Sequence, residues 1–433
     1  MRLALATLLI AAALAPPALA QSSNMTLVGQ TDPRSQGYSD VWGYVGSDGR
    51  EYALTATRND GGLSVIDVTA EPPVEVAYVP GGSGVGSDIE VYGDYVYVTD
   101  DQEATKVFTL APPGTPSSPQ LVGSFGGGRH TLSIAGDYLY TNGNNGVFIY
   151  SLANPAAPAL VGQYQPGFYI HDILVRGDTM YTAGIFGDGI DIVNIANRAA
   201  PQLINRFNYS GSGAHNICSD PSGRYIYVGD EIGSGRWTRI FDVADPMNVT
   251  QVGQIVIPGV TVHNCHVQGN LMYIGYYSGR GARVYNISNP TAPVEIAYYE
   301  TGSGLMWSVY PFLPSGKILG IHMSNGLYVL RLDAVVNGEG GPETPATLAL
   351  AAPSPNPVRG NADLRFTLPE AADEVRLAVY DALGREVATL HEGSLGAGAY
   401  LRRFEASGVP PGVYFARLEA DGRAATQALT VVR

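Results

Sequence analysis

The sequence is short of charge, and short of positive charge above all. Asp, Glu, Lys and Arg make up 15% of its 433 residues, with 25 basic residues against 39 acidic ones. Binding to a nucleic-acid backbone draws on clustered Lys and Arg, so a formal net charge of −14 argues against that partner. Cysteine is nearly absent, with only Cys218 and Cys265. Phenylalanine is scarce beside tyrosine, 11 against 27. The usual marks of common enzyme classes are missing. There is no Gly-x-Ser-x-Gly elbow, no His-Glu-x-x-His and no phosphate loop. Long apolar runs are missing too. The one run, Leu3 to Leu14, is too short to span a bilayer as a helix.

That run follows a single Arg2 and precedes Ala18-Leu19-Ala20. Such an order predicts a secretory signal at 1–20, cleaved after Ala20, and hence a soluble, exported protein. Its two cysteines then meet an oxidising environment. What is abundant is glycine, at 54 residues, within a chain that is 45% hydrophobic. Many tight turns and half-exposed, tyrosine-rich strands point to an all-β protein.

One unit recurs along the chain. Its openings are Ser39-Asp40, Ser87-Asp88, His130-Thr131, His171-Asp172, His215-Asn216, His263-Asn264 and Trp307-Ser308, and their second residues are spaced by 48, 43, 41, 44, 48 and 44. Each opening leads into a second strand, tyrosine-rich in all but the last, such as YVYVTD or YIYVGD. A third strand, a turn that is often Pro-rich and a fourth strand follow. Four strands per repeat of this length predict a seven-bladed β-propeller over 25–335. The seventh unit lacks a fourth strand. Thr26 to Thr31 reads like the missing one, so an N-terminal strand is expected to close the ring. Residues 336–346 read as a linker. Residues 347–433 alternate apolar and polar residues in short strands, which predicts a small C-terminal β-sandwich.

His130, His171, His215 and His263 share one repeat position on innermost strands. With Asp40, Asp88 and Asp172 nearby, they could gather at one end of the channel and hold a divalent metal. The competing role is structural: such pairs hydrogen-bond the turn that starts a strand, and a channel is expected to spread symmetric ligands too far apart to share an ion. His266 breaks the repeat and for that reason stands out as a further candidate metal ligand. Cys218 and Cys265 have opposite parity on neighbouring blades, so they could meet as a disulfide or remain two buried thiols. The loop carboxylates at Asp60, Asp100, Asp101, Glu103 and Asp188 could hold calcium, but read rather as solvated turns. Trp42, Trp237, Trp307, Tyr169, Tyr276 and Tyr277 could line a carbohydrate or peptide surface, or simply pack. No catalytic residue and no cofactor is assigned.

The repeats resemble the LVIVD-repeat propellers. The likeness rests on Ser64-Val65-Ile66-Asp67-Val68, on Arg239 to Pro246, and on the Leu-Val-Gly strands at 27–29, 121–123 and 160–162. Blades 2 and 3 depart from it, since KVFTL and VFIYSL lack the aspartate. Ser39 to Tyr44 looks like the exported subset called choice-of-anchor B proteins. At the C-terminus, Ser354-Pro355-Asn356-Pro357, Val379 to Val387, Pro411 to Phe415 and Leu429 to Arg433 resemble the type A sorting domain of the type IX secretion system. That resemblance implies a bacterium of the Bacteroidota type, an encounter with the secretion machinery, and release or attachment at the outer-membrane surface. The resulting expectation is a secreted or surface propeller that binds or scaffolds a protein, glycan or surface polymer. The alternative is an extracellular hydrolase or lyase working at the channel mouth, with or without a metal.

Overall fold

The structure is a computed structural model and describes residues 21–110, 116–143, 146–233, 235–333, 348–351, 353, 356–358, 360–370, 372–395 and 398–432. The expected signal at 1–20 and the linker at 336–346 lie outside these residues. Two compact units are present, one ending at Asn337 and the other starting at Gly338. The described residues form strands and turns, and none of them forms a helix long and apolar enough to cross a membrane.

The first unit is a ring of seven four-stranded antiparallel blades. In blade 1 the strands run outward from the channel as Tyr38–Val45, Glu51–Thr57, Leu63–Asp67 and Val74–Val79. The second strand is buried at every position, whereas the fourth is partly exposed throughout. Burial falls outward because the inner strands are covered on both faces by neighbouring blades. The other innermost strands are Gly86–Tyr92, Leu132–Ala135, Asp172–Arg176, Ala214–Ser219, Val262–Gln268 and Met306–Tyr310.

The repeat's signature residues are explained by turns and by the fit between blades. Asp67 accepts hydrogen bonds from the Thr69 and Ala70 amides, and Asp242 accepts one from Ala244. Each carboxylate thus opens the turn after a third strand. In blade 3, Ser151 makes the same bond to Ala153, so the missing aspartate costs that blade little. The glycine of Leu-Val-Gly follows a β-bulge in the fourth strand and lies against the next blade's turn. A Cβ on Gly162 would sit 1.9 Å from the Arg198 carbonyl oxygen, and one on Gly29 2.4 Å from the Pro73 ring. No larger residue fits at that approach.

Blade 7 takes its outermost strand from the N-terminus. Met25–Thr31 pairs antiparallel with Gly326–Leu332, from Met25 opposite Leu332 to Thr31 opposite Leu327. The seam with blade 1 is then closed by packing of Val41, Ala53 and Ile66 on Leu319, Ile321 and Leu327. Lys317 Nζ donates to the Val68 carbonyl at 2.6 Å, and Glu51 accepts from the Ser315 amide at 2.7 Å. A feature unforeseen in the sequence lies just before this strand. Ser22–Ser23 pairs with Tyr298 and Tyr299, giving blade 6 a fifth strand.

The second unit is a β-sandwich. One sheet has three strands, Ala349–Leu350, Asn361–Leu368 and Gly398–Glu405; the other has four, in the order Glu386–Leu395, Ala372–Asp381, Gly412–Ala420 and Arg423–Val431. Leu364, Phe366, Val375, Leu377, Leu418 and Leu429 form its core. Asn356 of the Ser-Pro-Asn-Pro motif accepts from the Thr430 amide and donates to the Ala428 carbonyl, tying the motif to the last strand.

Candidate functional site at the channel mouth

The site begins with a break in strand pairing. At the mouth end of the innermost strands the register slips against the second strand, between Tyr38 and Val41, Gly86 and Ile89, Ala214 and Asn216, Val262 and Cys265, and Met306 and Ser308. In blades 3 and 4 the strand starts only after His130 and His171. The opening pairs read in the sequence therefore occupy bulges or strand entries, where a bulge re-aims side chains.

The second residue of each opening stitches blades together. Asp88 accepts from the Leu132 amide of blade 3, Asp172 from Asn216 and the Ile217 amide of blade 5, and Asn216 from the Cys265 amide of blade 6. Thr131 donates to the His171 carbonyl. The stitching between blades thus falls mainly to the second members, with His263 the first member that shares in it.

The first members do something else. The rings of His130, His171, His215 and His263 follow one another at centroid distances of 4.3, 4.1 and 4.2 Å. Trp307 continues the series 4.5 Å from His263 and lies 6.3 Å from His130. This corrects the expectation that the channel would spread them. At this repeat position blades 1 and 2 carry only the small Ser39 and Ser87, so the larger rings close on one another. The space among them is a cavity of about 10 Å³, room for roughly one water molecule.

A second ring surrounds the first, made by residues just past the second strands. Asp101 accepts from His130 Nδ1 at 2.6 Å, Glu231 Oε2 lies 3.6 Å from His215 Nε2, and Tyr277 stacks on His263 at 4.6 Å. The Arg58 guanidinium lies 5.1 Å from the Trp307 ring centre. Glu231 was missed in the sequence, although its position, one residue past YIYVGD, matches Asp101 after YVYVTD. Tyr169 and Phe186 pack together at the rim, and Phe186 is 71% exposed.

Burial sets the charge of these rings. It holds His171 and His215 well below the ordinary imidazole value, helped by the neighbouring histidines, and lowers His263 to about 3 despite its bond to a carbonyl. At neutral pH these three are uncharged, the state in which imidazole binds a metal. His263 Nδ1 donates to the Trp307 carbonyl at 2.7 Å, which leaves Nε2 with the lone pair. Nδ1 of His171 and both ring nitrogens of His215 are buried without a hydrogen-bond partner among the described residues. Leaving such a group unmade costs on the order of 1–3 kcal/mol. Burial raises Glu231, partly offset by His130 and Arg236.

His266 is not part of this group. It lies deeper in the channel, with ring centroids 6.0 Å from Trp42, 6.1 Å from Tyr310 and 5.6 Å from Phe312, and burial lowers it to about 4. Tyr276 is buried, and Trp237 lies beside the Arg239 guanidinium. The loop carboxylates Asp60 and Asp100 are engaged within their turns: Asp60 with Thr57, Gly62 and Tyr78, and Asp100 with the Val85, Gln102 and Glu103 amides and Lys106. Cys218 and Cys265 are bonded, with Cα atoms 6.0 Å apart, and join the innermost strands of blades 5 and 6.

The channel interior is acidic. Burial, then the neighbouring Asp88, raises Asp40 well above the carboxylate range; the same causes raise Glu90, which accepts from the Ile134 amide at 2.7 Å. Charged or titratable groups near Glu90 are Asp88, Asp172 and Tyr310. Because the folded state raises Glu90, the fold keeps a proton there that the unfolded chain releases above about pH 4.3. Stability from this group is complete in acid and lost as pH rises through the folded value. Glu90→Gln keeps the acceptor and removes the charge. It is expected to raise stability by ~1–3 kcal/mol at pH 8 and to change little at pH 4. Thermal melts at both values check this, and equal effects at the two would refute it.

Comparisons with known proteins agree with this architecture. The LVIVD repeat model matches residues 83–105, 126–165, 169–209 and 261–301, which are blades 2, 3, 4 and 6. The model described as a secretion system C-terminal sorting domain matches residues 354–432. No curated protein matches the sequence. Among solved structures, the β-propeller domain of Myceliophteria thermophila Cps50 (Swd1) is 11% identical with a TM-score of 0.53, over 71% of this chain and 98% of that one. The WD40 β-propeller domain of Doa1 is 12% identical with a TM-score of 0.55, over 71% and 97%. The extracellular domain of a hybrid two-component system from B. thetaiotaomicron is 13% identical with a TM-score of 0.51, over 79% of this chain and 45% of that one. At these identities the likeness is one of fold. The chain is a β-propeller containing LVIVD repeats, followed by a type IX C-terminal sorting domain that directs it to the extracellular space or the cell surface.

Proposed function

We propose that this secreted or surface-held propeller is a binding protein, and that the channel-mouth face holds its extracellular ligand, a protein, a glycan or a surface polymer. The observation that carries this reading is the ring of His130, His171, His215, His263 and Trp307, in which three buried nitrogens on His171 and His215 have no hydrogen-bond partner among the described residues. One position later, Asp88, Asp172 and Asn216 are all bonded to the neighbouring blade. Tyr169 and the exposed Phe186 add an aromatic shelf at the rim, suited to a sugar face or an apolar side chain.

The test is a glycan and peptide array probed with the full chain and with a Tyr169→Ala Phe186→Ala variant. Retention of the bound members is expected to fall at least ~10-fold in the variant, the scale of one lost anchor. A Val294→Ala change on the outermost strand of blade 6, 61% exposed, should leave retention unaltered. Binding that ignores the mouth variant, or no binding to any member, would contradict the reading.

A further inference from the structure

We propose that His171, His215 and Glu231 form a site for one divalent transition-metal ion of the Zn²⁺ class. The proposal rests on the reading of the mouth as the ligand-bearing face. One ligand atom from each of the three residues lies within 4.8 Å of the others, and His215 Nε2 to Glu231 Oε2 is 3.6 Å. Ligands bonded tetrahedrally to zinc at ~2.0 Å stand ~3.3 Å apart, so the second pair is already near that spacing. The Glu231 side chain can adjust its own approach by rotation, for which its 24% side-chain exposure leaves room.

The chemistry of the ligand set selects the ion. Two imidazoles and one carboxylate suit zinc and its first-row neighbours, whereas calcium and magnesium take oxygen ligands. Three protein ligands also leave one position of a tetrahedral ion for water. The unpartnered nitrogens on His171 and His215 supply the lone pairs that such an ion consumes. Neighbouring rings are themselves held in place, His130 by Asp101 and His263 by the Trp307 carbonyl, so the walls of the site are fixed. A Glu231 carboxylate with two neutral imidazoles carries net charge −1, which a divalent cation converts to +1.

The full chain, expressed without a histidine tag and stripped with EDTA, provides the test. After equilibration with zinc and gel filtration, elemental analysis is expected to find one zinc per chain. Calorimetric titration with zinc should show affinity reduced at least ~100-fold in His215→Ala and at least ~10-fold in Glu231→Gln. His391→Gln, in the C-terminal unit, should change neither result. Glu231 is partly exposed, so Glu231→Gln decides the matter if His215→Ala fails to fold. Substoichiometric zinc on a folded chain, zinc binding that these variants leave intact, or equal affinity for calcium would overturn the assignment. Loss of the metal result alone, with array binding still sensitive to Tyr169 and Phe186, would leave the broader reading standing. Zinc binding with array binding that ignores those residues would do the reverse.

Discussion

A chain lacking residues 25–31 is expected to lose the cooperative thermal transition of the propeller. Met25–Thr31 is the strand that completes blade 7, and its removal exposes the edge of Gly326–Leu332. It also uncovers Leu330 and Tyr328, which pack in one cluster with Met25. The contact of Gly29 with Pro73 is lost as well, so the seam between blades 7 and 1 loses its outer part. The strand's ladder and apolar contacts together are worth on the order of 5–10 kcal/mol, comparable with the whole stability of many domains. Circular dichroism during heating checks this, and an unchanged midpoint would refute the closure. The deletion also brings a freshly exposed strand edge, so soluble aggregates are expected by light scattering.

Removing the disulfide is expected to have the next largest effect. Cys218 and Cys265 are separated by 47 positions, and a cross-link of that span constrains the unfolded chain by ~4 kcal/mol. The bond joins the innermost strands of blades 5 and 6 next to His215 and His263. Its loss should therefore soften the mouth as well as lower the melting midpoint. A Cys218→Ser Cys265→Ser variant is expected to melt earlier than the oxidised chain and to be insensitive to reductant. Alkylation of both thiols without reductant would show that the bond does not form in solution.

Much of the fold was readable from residue spacing. A four-strand period survives substitution because each blade needs the same turns, as Asp67 and Asp242 show. The closing strand was readable for the same reason: Leu27-Val28-Gly29 carries the bulge and the glycine of every Leu-Val-Gly strand. The small pairing of Ser22–Ser23 was not readable, since two serines carry no periodic signal and the bond pattern comes from the neighbouring edge.

The site was legible only in part. Equivalent histidines could be placed at one end of the channel, because repeat position fixes height along it. Their mutual distance could not, since it depends on the bulges that turn them inward and on two small serines elsewhere in the ring. Glu231 and Asp101 were hidden for another reason. Loop carboxylates are ordinary in such turns, and although these two share a position one residue past the second strand, it is the ring geometry that shows what they face.

The most direct measurement is a crystal structure of the full chain grown with zinc, with anomalous data collected at the zinc edge. A peak is expected among His171, His215 and Glu231, ~2 Å from a nitrogen of each histidine and an oxygen of the carboxylate. The contrary result is a mouth in which a single ordered water or a neighbouring ring satisfies these nitrogens, with zinc located elsewhere or nowhere.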